Sequence, residues 1–350
     1  MTLLIEKPEF DGTGLTYCMK WPRLGIAAKI DHPYDSKDSV SAEITFTFAD
    51  GGHIKRSRVN LTSDRSQESF AKSAIRQYPG PVVNESIQPF DWHAIVEQVC
   101  KKSLDAYRLG SPLQAVQDFD YKPLSFLVHP LLPERQVSAL YGPPGAIKST
   151  LAALICLKVA YGLSGPGLNG SLATQQGPVL WLDYETDFDT FKWVLGRLAK
   201  GLGIEKYPDN IFYQPLDRPL TACLEMVQDR VNTIKPKLIV LDSVLRAIGQ
   251  VNANETGPAS GLANAIRTLN TTTLEIAHGQ KGEGEKSMLG SQLFTASVRW
   301  AWEAQVSESS EESESHLALH HTKHNLSRKL PPIGLSFTYD GDDGPISVAR

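Results

Sequence analysis

The residues Gly142, Pro143, Pro144, Gly145, Ala146, Ile147, Lys148, Ser149 and Thr150 set a lysine and two hydroxyls directly behind a short glycine- and proline-containing loop. The stretch lies one residue from the pattern G-x-x-x-x-G-K-[ST]: Ile147 stands where that pattern has its second glycine. Backbone N–H groups of such a loop converge on a nucleotide's β-phosphate at a helix N-terminus, where the helix dipole favours anions. Lys148 then reaches the β- and γ-phosphates and the Ser149 hydroxyl is set to ligate Mg²⁺. A nucleotide's phosphates and Mg²⁺ are therefore the expected ligands. A β-branched residue takes positive φ only at a cost, so Ile147 is expected at negative φ, with Gly142 and Gly145 absorbing the tight turn.

Two acids complete the candidate chemistry. The apolar run "LIVLDS" ends in Asp242, positioned to hold Mg²⁺ through water beside the loop. The run "PVLWLDYETD" places Glu185 just past a strand end, where it would activate an attacking water as general base. Asp183 lies two residues earlier, and strand alternation aims it the same way. Each has a plainer alternative, since buried strands often end in Asp and Glu185 alone reads equally as a solvated loop acid. His320, His321 and His324 form a cluster, but His320 and His321 on one strand point to opposite faces, which weighs against a shared metal.

These groups need a scaffold, and the chain supplies one in order. "VSALY" reads as a strand, "GPPGAIKS" as the turn and "STLAALICLKVAYG" as a helix ending at Gly162. From about residue 125 short apolar strands ("VSALYG", "PVLWLDYE", "KLIVLDS", "TLEIAH") alternate with helical segments, the pattern of a mostly parallel sheet flanked by helices. "VRWAWEAQVS", "SHLALHHTKH" and "IGLSFTYD" follow as consecutive, antiparallel strands around the polar loop "ESSEESES". Ahead of this, "SAEITFTF", the turn "ADGG" and "HIKRSRVNL" read as a hairpin, and a helix opens at Ser63 and stops before Pro79. The expected organisation is a small β-rich N-terminal domain over 1–85, a helical linker over 86–123 and an α/β nucleotide-binding domain over 124–350.

Composition narrows the partners. Of 350 residues, 41% are hydrophobic and 21% charged, enough apolar content for packed cores. The net charge of −4 excludes a chain coated in phosphate contacts, so any nucleic-acid contact has to be a local patch. The four cysteines are widely spaced with no C-x-x-C pair, which argues against disulfide scaffolds and zinc ribbons. No apolar run is long enough to span a membrane, and the N-terminus lacks a signal-peptide pattern, so a cytoplasmic location without membrane contact is expected.

Taken together, "LYGPPGAIKS", "VLWLDYETDFDTFKWVLGRL", "LIVLDSVLRA", "AHGQKGEGEKSMLGSQLFTASVRW" and "TKHN" resemble the RecA-like ATPases of the RepA type, the hexameric plasmid and phage replication helicases. The likeness spans roughly residues 124–339. It implies a RecA-like P-loop core, with Lys148 and Ser149 on phosphate and Mg²⁺, Glu185 as catalytic carboxylate and Asp242 as the Walker B acid. His278 matches a sensor histidine. Arg299 matches an arginine finger reaching a neighbouring subunit's γ-phosphate, and Lys323 a second basic residue on that trans-acting side. Residues acting in trans imply a homo-oligomer, most simply a hexameric ring. Two loops would face the channel: "RAIGQVNANETGP", opening with Arg246, and "GQKGEGEKSMLG", carrying Lys281 and Lys286 for a single-stranded DNA backbone.

The chain departs from the related DnaB pattern K-x-R-N-G, having "TKHNL", and residues 1–80 match no replication module. They stand as an adaptor, a regulator or a surface for a replication or mobile-element partner. Three functions remain: a helicase-type motor on single-stranded DNA, a recombinase-like or repair-associated ATPase that does not unwind, and a nucleotide-clamped adaptor with little turnover.

Overall fold

Period-two alternation puts one apolar face on the central strands of the N-terminal region, and two helices cover it. The computed structural model describes residues 6–13, 16–36, 39–83, 85–110, 123–163, 174–206, 209–249, 256–279, 296–308 and 313–349. They fall into two units, Met1–Asp120 and Tyr121–Arg350.

The first unit is an antiparallel sheet in sequential order: β1 (Glu9–Thr13), β2 (Thr16–Trp21), β3 (Ile26–Ser36), β4 (Ser39–Phe48) and β5 (His53–Asn60). Helix α1 (Asp64–Gln77) follows, then the two-residue strands β6 (Val82–Val83) and β7 (Ser86–Ile87), then α2 (Trp92–Leu109). Ser63 caps α1 by accepting from the Ser66 N–H, and Asp91 caps α2 by accepting from the Ala94 N–H, as short polar side chains do at that position. Phe46 sits at the centre, with its ring against those of Trp21, Phe70 and Trp92.

The linker expected over 86–123 is corrected here. Trp92, Ile95, Val96 and Val99 of α2 are buried in the core of the first unit. An 18-residue helix with an apolar stripe loses too much by leaving that stripe in water to act as a bare connector. Residues 111–122 lie outside the described residues.

In the second unit β8 (Phe126–Val128) and β9 (Leu132–Pro133) pair with each other. The main elements are β10 (Val137–Gly142), α3 (Lys148–Tyr161), β11 (Val179–Asp183), α4 (Phe188–Gly201), β12 (Ile211–Pro215), α5 (Leu220–Ile234), β13 (Leu238–Asp242), α6 (Val244–Ala247), α7 (Thr256–Leu269) and β14 (Thr272–His278). The chain ends with β15 (Trp300–Glu308), β16 (Glu314–His324), β17 (Ile333–Tyr339) and β18 (Ile346–Ala349). The sheet order is β12-β11-β13-β14-β10-β15-β16-β17-β18. It is parallel through β15 and antiparallel beyond. The expected antiparallel end is present, and β18 extends it by one strand beyond those expected.

Both faces of this sheet are covered, which is why its parallel strands are apolar throughout rather than alternating. Leu140, Trp181, Val240 and Ile276 face a core shared with α3 and α4, while Ala139, Leu182 and Leu241 face one shared with α5 and α7. Helix α3 is buried along nearly its whole length, from Leu151 to Ala160. No helix among the described residues is long and apolar enough to cross a membrane.

Candidate functional site

The strand β10 ends at Gly142, and its neighbour β15 crosses so closely that a Cβ there would meet the Ala304 carbonyl oxygen at 2.3 Å. Only glycine fits. Gly145 then turns at φ 79° and the chain enters α3 at Lys148. Between them Ile147 takes φ 47° and ψ 25°, left-handed backbone. The expectation of negative φ is thus overturned: the loop holds at Ile147 the backbone that the pattern's glycine provides. Such a conformation costs a non-glycine residue about 1–3 kcal/mol. The Ile147 side chain offsets part of this by packing against the core around α3.

Lys148 is 6% exposed and its Nζ donates to the carbonyl oxygens of Gly142 (3.1 Å) and Pro143 (2.7 Å). Burial pushes its pKa down, against the pull of Asp242 and Glu185. Asp242, 3% exposed at the end of β13, accepts a hydrogen bond from the Ser149 side chain. Burial lifts its carboxyl to about 7, opposed by the Ser149 bond and Lys148 and reinforced by the charges of Asp183 and Glu185. Hydroxyl and carboxylate oxygens so paired are the hard donors Mg²⁺ takes, and a bound cation would relieve the desolvated charge. The residues present therefore fit a Mg²⁺-nucleotide: loop N–H groups and Lys148 for phosphate, Ser149 and Asp242 for the metal. Pro143, Pro144, Gly145, Ala146 and Thr150 complete the loop and the helix start. The strand β14 brings His278 into register with Gly142, and the Gly279 N–H donates to the Gly142 carbonyl. The His278 Nδ1 is buried with no partner among the described residues.

Strand β11 delivers Glu185 to the same edge. Its Oε1 accepts a 2.5 Å hydrogen bond from Ser243 Oγ and lies 3.6 Å from Arg246 Nε. Asp183, expected to aim the same way, also lies near enough to Asp242 for its charge to raise that carboxyl, but it is tied into the turn. It is 2% exposed and accepts from the Trp181 Nε1–H, the Glu185 and Thr186 N–H groups and the Thr186 hydroxyl. A carboxylate so satisfied builds the turn that leads into Glu185.

A family model described as an AAA domain matches residues 108–284, half of the chain, with Lys148, Ser149, Asp183, Glu185, Asp242 and His278 inside it. The chain belongs to this AAA domain family. No curated protein matches the chain. Among solved structures it is similar to a KaiC-like protein of the hyperthermophilic archaeon Pyrococcus horikoshii OT3, at 16% identity over 64% of this chain and 94% of that one, with a TM-score of 0.46. At that score the likeness carries no argument. The reading as a RecA-like P-loop ATPase rests on the family and on the strand order.

Two predicted residues of the AAA protein lie beyond the matched segment and far from its P-loop. The Arg299 N–H donates to the Val137 carbonyl at the opposite end of β10 from Gly142. That run of β10 is roughly 17 Å long, more than an arginine side chain spans. Lys323 pairs in register with Ala301, and its pKa is pushed down by burial and by the nearby Arg299 charge. The structure thus brings Arg299 and Lys323 together but not to Lys148. Arg135 and Arg267 join Arg299 in lining a cleft of about 650 Å³ with no carboxylate among its lining residues. Their separation in sequence gave no signal of this. Ser243 was missed too, although its place directly after a strand-end Asp is the kind of position that reaches a site. Lys281 and Lys286 lie outside the described residues. Among the described residues no cluster fits a metal held by His, Cys, Asp and Glu, and His321 is buried between the rings of Trp300 and Trp302.

Proposed function

We propose that this AAA protein is an ATP-hydrolysing motor of the RepA helicase type, working on single-stranded DNA as a ring of identical subunits, most simply a hexamer. The observation that carries the reading is the separation of Arg299 and Lys323 from Lys148 along the sheet. Cations at the edge opposite the P-loop cannot serve their own nucleotide, and they suit the nucleotide of a neighbour. The arginine-lined cleft around Arg299 supports it, since such a surface attracts polyanionic phosphate.

The reaction is phosphoryl transfer to water, where positioning and charge stabilisation do most of the work. Lys148 releases the loop carbonyls and donates to β- and γ-phosphate oxygens. Mg²⁺, held through Ser149 and a deprotonated Asp242, would neutralise charge developing on the phosphates. Glu185 takes the proton of the attacking water. Arg299 of the next subunit supplies positive charge from outside, and His278, beside Gly142, reports the phosphate state to the segment that follows β14. Arg246, Lys281 and Lys286 contact DNA in the channel. The first unit serves as the surface for a replication or mobile-element partner, and the protein works in the cytoplasm.

A second reading, a DNA-dependent ATPase that switches without unwinding, draws on the grip of Ser243 and Arg246 on Glu185, which suits a gated site. Steady-state ATP hydrolysis by the native chain and Lys148→Ala, with and without single-stranded DNA, tests both. Turnover that DNA accelerates and the substitution abolishes is expected, and an unwinding assay then separates them. Native turnover no greater than that of Lys148→Ala leaves the nucleotide-clamped adaptor.

A further inference from the structure

The first unit carries a second concentration of positive charge that the ATPase does not use. Strand β5 is an edge of its sheet, so alternate backbone N–H and C=O groups point outward instead of to β4. Helix α1 runs beside it, and the two enclose a groove of about 530 Å³. Lys55 and Arg58 from β5 and Arg65 from α1 line it, with hydroxyls at Ser57, Ser69 and Ser73 and no carboxylate. None of the three cations is in an ion pair within 4 Å among the described residues, although Arg58 lies opposite Glu43 of β4, which its charge reaches. The nearby acids are mostly spoken for: Glu43 is held by Arg56 and Glu68 by Lys72, leaving Asp64 in the first turn of α1. In a chain of net charge −4 this local excess is not part of a general basic coat.

Beside the groove lies an aromatic surface. Tyr34 of β3 is 39% exposed, and the Arg58 guanidinium sits 5.5 Å from its ring centroid. A basic groove together with a part-exposed aromatic ring, one face of which Arg58 covers, is a pairing that holds a single strand: cations and hydroxyls take the phosphates, and a base stacks on the ring's exposed face. We propose that the β5–α1 groove binds the phosphodiester backbone of single-stranded nucleic acid, with Lys55, Arg58 and Arg65 as phosphate contacts and Tyr34 as a stacking platform. This goes beyond the motor reading, because nothing in it depends on ATP or on the channel loops.

The test uses the full chain carrying Lys148→Ala, without nucleotide, so that turnover plays no part. Fluorescence anisotropy follows binding of a labelled oligothymidine of about 20 nucleotides, longer than the ~4–16 a single-strand platform covers, over a series of salt concentrations. Lys55→Gln with Arg65→Gln should weaken binding and flatten the plot of log K against log salt by about 1.4, at about 0.7 for each phosphate no longer neutralised. Tyr34→Ala should weaken binding with the salt slope unchanged. An unfolding transition at the native midpoint shows that each variant is folded. Binding and slope both unmoved by the double substitution overturn the proposal. Loss of ATP hydrolysis in the otherwise native chain with Lys55→Gln and Arg65→Gln would also count against it. Failure of the motor reading leaves this result untouched.

Discussion

Glu185 is held by Ser243: one carboxylate oxygen accepts a 2.5 Å hydrogen bond from that hydroxyl, with Arg246 Nε 3.6 Å from the same oxygen. The carboxylate proposed to take a proton from water is thus engaged from two sides by residues that follow the strand-end Asp242. Arg246 is also the residue expected to meet DNA. Its side chain is 62% exposed, so the pair is worth about 0.2–1 kcal/mol. Arg246→Ala should therefore raise DNA-free ATP hydrolysis by no more than a few-fold while reducing stimulation by single-stranded DNA. Glu185→Gln should lower turnover by roughly 10²–10⁴, the usual worth of a general base. Both are read in one steady-state assay, and a basal rate unchanged in Arg246→Ala would separate Arg246 from the control of Glu185.

Ile147 offers a direct check on the loop. Glycine at this position removes a left-handed strain of about 1–3 kcal/mol but also the packing of a partly buried side chain and some order in the unfolded chain. The two sides nearly cancel, so Ile147→Gly should change the stability by less than about 1 kcal/mol. Since the backbone already has the glycine-like conformation, ATP hydrolysis should stay within a few-fold of native. Ile147→Pro, which fixes φ near −65°, should abolish nucleotide binding measured by calorimetry.

Glu275 sets a pH dependence of stability. It lies fully buried in β14, its Oε2 without a partner among the described residues, and burial lifts its pKa to about 8. A carboxyl raised above its unfolded value keeps its proton when folded after the unfolded chain has lost it. Unfolding then releases a proton, and stability falls as pH rises from about 4.5 to about 8. Glu275→Gln keeps the shape and removes the titration. Its melting temperature should exceed that of the native chain at pH 8, the gap closing toward pH 4, in parallel thermal scans. A constant gap would show that titration of Glu275 plays no part.

The placement of Arg299 predicts complementation between subunits. Arg299→Ala should lower ATP hydrolysis by roughly 10³ or more, as removal of an arginine finger does, while leaving nucleotide binding intact. Lys148→Ala should be inactive in its own site. Mixing the two inactive proteins should restore hydrolysis, because a native P-loop then faces a native Arg299 at some interfaces. Light scattering on the mixture reports the assembly. Ring formation without restored activity would remove Arg299 from the trans role.

The order of residues was enough to specify the local parts: the strand–loop–helix unit around Lys148, the strand ends at Asp242 and His278, the Ser63 cap, and the alternation of a parallel sheet covered on both faces. These are legible because each rests on short-range chemistry, an apolar period, a cap or a turn residue within a few positions. The remainder came from how distant segments meet. That Ile147 is left-handed follows from how β10, β15 and α3 converge, and no propensity reports it. That Asp183 is tied into its own turn while Glu185 meets Ser243 depends on β11 and β13 lying in register. The wait of Arg299 at the far edge, and the assignment of α2 to the first unit's core, depend on which strands neighbour and which apolar faces meet. Hydrophobic burial is non-directional, so a sequence shows that a face must be covered without showing by what.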